Sequence, residues 1–160
     1  MSRTPQPPAS HLRPARDRHG RGARGPLLPV GVPRYRNRAA AFDQLVLEAY
    51  APLHNSYFEH LAGVDLAVDT VPRMRLRADM TVLPDDIVAD GPVPLGRILA
   101  AGVDRHGNPT RTRFVVFRMP IEQRTVSTKE RSELITWVLT ALTANYLNID
   151  PRSIDADFPW

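Results

Sequence analysis

Residues 114–117 read Phe-Val-Val-Phe, and four apolar side chains in a row leave a strand no face for water. Successive strand residues point to opposite faces of a sheet, so this segment belongs in the middle of one, covered on both sides. Its partner lies just upstream. PLGRILAAGV at 94–103 and TRTRFVVFRMPIEQR at 110–124 bracket the turn-forming DRHGNP. This predicts a hairpin with a loop of about four to six residues. Pro120 should end the second strand, since it has no N–H to give to a ladder.

A strand buried on both faces needs helices to cover it, and the sequence offers two long ones. From Asn37, an N-cap residue, Phe42, Leu45, Val46, Ala49 and Tyr50 keep i, i+3, i+4 spacing. Pro52 is expected to kink this helix or divide it in two. Leu53, Tyr57, Phe58 and Leu61 would continue its buried face, with Gly63 at the C-terminus. The second long helix opens at STKE, where Ser127 and Glu130 have capping-box spacing. Leu134, Ile135, Val138, Leu139, Leu142 and Tyr146 form its buried stripe. Asn148 and Pro151 stop it, and DPRSIDADF adds at most one further turn. Between the helices, DLAVDTVP at 65–72 predicts a short strand with Leu66 and Val68 on one face, and 72–93 reads as a long irregular connection. The expected fold is α+β, a short sheet with a hairpin packed on two main helices.

Charge and composition divide the chain. Residues 1–36 hold seven Pro and four Gly with almost no apolar periodicity, which predicts a disordered tail ahead of one domain at 37–160. Nine of the 21 basic residues and only one of the 17 acids fall within residues 1–40, leaving 12 basic and 16 acidic groups, a balance of −4, for the rest. The chain has no Cys, which excludes disulfides, thiolate metal sites and a Cys nucleophile and fits a cytoplasmic setting. No apolar run approaches a membrane span of about 20 residues, and the Arg- and Pro-rich start does not fit a secretory signal.

Several pieces, taken in order, resemble the small bacterial zincin-like metallopeptidase family, most closely its actinobacterial branch. They are RGARGPLLPVGVP at 21–33, AFDQLVLEAYAPL at 41–53, DLAVDTVP at 65–72, the stretch from DGPVPL at 90 to IEQR at 124, and YLNIDPRSID at 146–155. The resemblance implies a zincin-like domain whose closing helix carries HExxH. In that motif two His at i and i+4 hold zinc, and the Glu activates the metal-bound water. With the helix end as anchor, the first His falls on Ala141, the Glu on Leu142 and the second His on Asn145, while Asn148 takes the small-residue position and Asp150 lies near the third ligand. The motif is degenerate: Ala141 cannot bind metal, Leu142 cannot take a proton, and an Asn amide is a poor zinc ligand. Zinc is the cofactor of the family, but no metal site is expected here. His11, His19, His54, His60 and His106 do not replace it, since His54 and His60, six apart, point roughly 240° apart around a straight helix.

Other catalytic patterns are also missing. There is no Gly-rich phosphate loop, Ser127 and Ser132 have no His within their element, and Asp85–Asp86 and Asp155–Asp157 read as solvated loop acids. The expected function is a non-catalytic protein-interaction role, a pseudoenzyme whose former groove around Trp137, Ala141 and Asn145 holds an extended peptide beside the sheet edge. The same three residues also fit an ordinary helix face. An alternative rests on the tail, where Arg16, Arg18, Arg21 and Arg24 would contact nucleic acid or an acidic partner. A third reading is a zinc-dependent peptidase with ligands of another pattern. Trp160 either tucks into the domain or presents an aromatic anchor.

Overall fold

A computed structural model describes residues 37–74 and 84–159. The tail at 1–36, with Arg16, Arg18, Arg21 and Arg24, lies outside the described residues, as does Trp160. The described part is α+β, as the sequence predicts. It holds α1 (Arg38–Ser56), α2 (Phe58–Leu61), β1 (Asp65–Asp69), β2 (Ile87–Asp90), β3 (Val93–Leu99), β4 (Gly102–Val103), β5 (Pro109–Thr110), β6 (Arg113–Phe117), α3 (Arg118–Gln123), α4 (Thr128–Leu147) and a 3-10 turn at Pro151–Ser153. No helix among the described residues is long and apolar enough to cross a membrane.

The main sheet has the order β1-β6-β3-β2. β6 is thus central, paired in parallel with β1 and antiparallel with β3. Phe114 to Phe117 are all buried. Leu66 and Val68 of β1 stand beside Phe114 and Val116, and Ile98 and Gly96 of β3 flank the same two residues on the other side. In-register neighbours share a face, so these six residues form the face that α1 and α4 cover. The hairpin from β3 to β6 narrows into a two-stranded ribbon, β4–β5, around a tip at 104–108. Asp104 organises that tip by accepting the amides of His106 and Asn108 at 2.8 and 2.9 Å. Those two amide bonds, Asn108 first, hold the Asp104 carboxyl below its ordinary range.

The caps follow the sequence. Asn37 Oδ1 accepts the Ala40 amide at 2.7 Å, and Ser127 Oγ accepts that of Glu130 at 3.1 Å. Glu130 reaches back to the amide of Val126, one residue before the cap, at 2.9 Å. Asn148 closes α4 in the left-handed region, at φ 54°.

Five expectations need correction. Pro52 neither divides nor ends α1, which continues to Ser56. Pro52 is exposed, so the Glu48 carbonyl that loses its N–H partner can turn to water. The break comes at Tyr57 instead, and the change of phase turns Phe58 outward, 59% exposed, while Leu61 is fully buried. The connection at 72–93 contains a strand, β2, although its residues 75–83 are not described. Residues 118–123 form α3 rather than extending β6, because Pro120 fits a helix's first turn as readily as it ends a strand. Tyr146 is 38% exposed; only its ring edge meets the core, against Phe114 at 5.6 Å between centroids.

Candidate binding surface around helix α4

α4 lies deeper than a surface helix. From Val138 to Ala144 every residue is buried, because α1, the sheet and α3 all pack on it. Gly96 of β3 allows the closest approach: a Cβ there would stand 2.7 Å from Val138 Cγ1 and 3.1 Å from Leu142 Cδ1. The helix therefore sits directly on the sheet at the turn that holds Val138 and Leu142.

The positions that the resemblance assigns to the zinc motif go to three different environments. Leu142 is fully buried and Ala141 is 8% exposed, both within the main apolar cluster. Asn145 is exposed, and its side-chain amide donates to the carbonyl of Asp85 at 2.8 Å, tying the end of α4 to the approach to β2. Asp150 Oδ1 accepts the Arg152 amide at 2.9 Å and caps the 3-10 turn. Trp137, half-buried, lies flat against Phe158, with centroids 5.8 Å apart and planes 7° apart. Of Trp137, Ala141 and Asn145, only Trp137 is among the residues that line the cleft described below.

No group of three or more His, Asp or Glu among the described residues is placed to hold a metal ion. His54 packs its ring against Tyr50 and Phe58, 5.8 and 5.4 Å away. His106 sits in the hairpin tip and His60 in the short α2. Among the described residues, the buried hydroxyls of Tyr50 and Thr143 have no hydrogen-bond partner. Burial first, and the neighbouring Tyr146 second, raise the Tyr50 phenol above its ordinary value.

What Trp137 does line is a cleft of about 410 Å³ beside the edge strand β2. Leu95 and Leu134 form its apolar wall, Ala89 comes from β2 and Gly91 from the β2–β3 turn, and Pro159 closes one side. At its rim Arg124 Nε meets Asp90 Oδ2 at 2.8 Å, while Arg124 Nη1 donates to the Pro120 carbonyl at 3.2 Å. Leu95 reaches this place through an irregularity: Val88 pairs with Gly96 and Ala89 with Pro94, leaving Leu95 unpaired. The extra residue turns a side chain that would face away into the core, where Leu95 is fully buried. Sequence reasoning missed Leu95 and the Asp90–Arg124 pair. Alternation along β3 assigns Leu95 to the wrong face, and 34 residues separate the two charges. Gly91, at φ 57°, was missed as well, inside a stretch read as an irregular connection, although an Asp-Gly pair is a turn signal.

No family model matches the chain, and no curated protein matches it in sequence.

Proposed function

We propose that the folded body is a non-catalytic protein-interaction module on a zincin-like frame, working in the cytoplasm without zinc or peptidase chemistry. The observation that supports this reading most is the cleft beside β2. It joins an apolar wall and an aromatic edge to a sheet edge that, among the described residues, pairs only on its β3 side. An extended segment can add main-chain hydrogen bonds to such an edge and place one side chain in the cleft. The composition of the motif positions adds support: Ala141 and Leu142 offer no metal ligand and no base, and Leu142 is part of the core.

The test has two arms. Equilibrium dialysis of the full chain against zinc should leave less than stoichiometric metal bound, and casein should stay uncut. One tightly held zinc with chelator-sensitive cleavage sinks the reading. Photo-crosslinking from position 89 should then capture a defined partner from lysate, and the capture should survive both nuclease and deletion of 1–36. The Arg-rich tail supports a second reading, nucleic-acid binding, since nine Arg stand against one acid in residues 1–40. Recovery that needs both the tail and intact nucleic acid favours that alternative.

A further inference from the structure

A second concave surface shares Trp137 and Pro159 with the β2 cleft but is built from different elements. One lobe, about 330 Å³, lies between α1 and α4, with Ala49, Pro52 and Leu53 against Thr140 and Ile154. The other, about 510 Å³, lies between α4 and the C-terminal segment, with Trp137, Phe158 and Pro159. Ser132, Thr136 and Asp155 line both lobes, so the two form one groove. From Ser132 to Thr140 it follows α4 for roughly 12 Å, the length of about four residues of extended chain.

The floor is apolar and the rim is anionic. Glu48 and Asp155 stand at the first lobe, and Glu133, Asp155 and Asp157 at the second. No Lys, Arg or His is among the described residues that line either lobe. Of the four carboxylates, only Glu133 has an ion pair within the described part, with Lys129 at 3.9 Å and both side chains well exposed. Glu48 Oε1 accepts the neutral amide of Gln44, and Asp155 Oδ1 takes the Asp157 amide. Four carboxylates around a largely apolar floor, with one loosely held cation among them, repel nucleic acid and acidic proteins and attract positive charge.

We propose that this groove binds a cationic, proline-containing peptide segment of a partner protein. Such a segment is already extended in the polyproline conformation and loses little entropy on binding. Its rings fit the Pro52, Trp137 and Phe158 surfaces, and its Arg or Lys side chains reach the rim. Apart from Trp137 and Pro159 the groove is built from other residues than the β2 cleft, and the proposal stands or falls without a ligand in that cleft.

The test titrates the isotope-labelled full chain with a ten-residue peptide of alternating Arg and Pro, followed by amide NMR. The amides of Ser132, Thr136 and Asp155 should shift, with a dissociation constant that weakens at least tenfold between 50 and 500 mM salt. The triple variant Glu48→Gln, Asp155→Asn, Asp157→Asn changes only exposed groups and keeps their hydrogen-bonding capacity. It should bind the peptide at least tenfold more weakly with an unchanged spectrum elsewhere, whereas Arg124→Gln at the neighbouring cleft should bind it normally. Three results overturn the proposal: no shift at millimolar peptide, equal binding by the triple variant, or equal binding of spermine and of an Arg–Gly peptide, which would show charge alone. Shifts confined to Ala89 and Gly91 would also overturn it, while leaving the β2 cleft as a binding site.

Discussion

Two hydroxyls in the core are the residues most open to improvement. Thr143 is fully buried and its Oγ1 has no partner among the described residues, so the fold carries the desolvation of that oxygen with no bond in return there. Thr143→Val keeps the shape and removes the orphan; urea unfolding should show a gain of about 1 kcal/mol. Tyr50 behaves differently because it titrates. Its phenol is raised above the ordinary value of 10.0, so the fold favours the neutral form. That contribution is fully present below the unfolded value and is lost as pH rises through the raised one. Tyr50→Phe should therefore be more stable than the wild type at pH 11 by a wider margin than at pH 8, as read by denaturant midpoints at both. Neither hydroxyl was readable in advance, since periodicity places Tyr50 on the buried face but cannot tell whether its oxygen finds a partner there.

At the scale of elements, the contact between β3 and α4 carries the arrangement. A methyl group on Gly96 would meet Val138 Cγ1 at 2.7 Å, well inside contact distance, with the Val115 carbonyl at 3.2 Å leaving no retreat. Gly96→Ala should cost about 1–3 kcal/mol through overpacking. Pairing it with Val138→Ala, which empties the colliding position, should recover part of the loss, and a double-mutant cycle would show a coupling of about 1 kcal/mol or more. The long elements could be read from the sequence because each carries its own signals: Asn37 and Ser127 as caps, Asn148 as the stop, and Phe114–Phe117 as a strand with neighbours on both sides. β2 and α3 could not. Ile87–Asp90 is too short to show a period, and its pairing depends on Val93–Leu99. Arg118–Gln123 follows the strand without a break, so only packing on β3 and α4 distinguishes helix from strand there.

For the whole molecule, two of the positions that the resemblance assigns to HExxH, Ala141 and Leu142, lie within the core. Placing that pattern on them should therefore fail unevenly. Leu142→Glu places a carboxylate where the leucine is fully buried, and should cost more than about 3 kcal/mol by thermal melt. Asn145→His lies on an exposed position and should leave the melt almost unchanged, apart from the lost bond to the Asp85 carbonyl. A Leu142→Glu variant that melts like the wild type would show that the turn is open to water. What the sequence determined by itself is local: which long segments become helix or central strand, where the long helices are capped, and that Ala141, Leu142 and Asn145 lack the chemistry of His, Glu and His. Only the tertiary structure decided where those segments meet, because concave surfaces arise between elements distant along the chain. An unpaired Leu95, an Arg124 that crosses to Asp90 and a C-terminal Phe158 stacked on Trp137 together set the walls around α4. Each depends on packing across the sheet and not on any pattern of neighbouring residues.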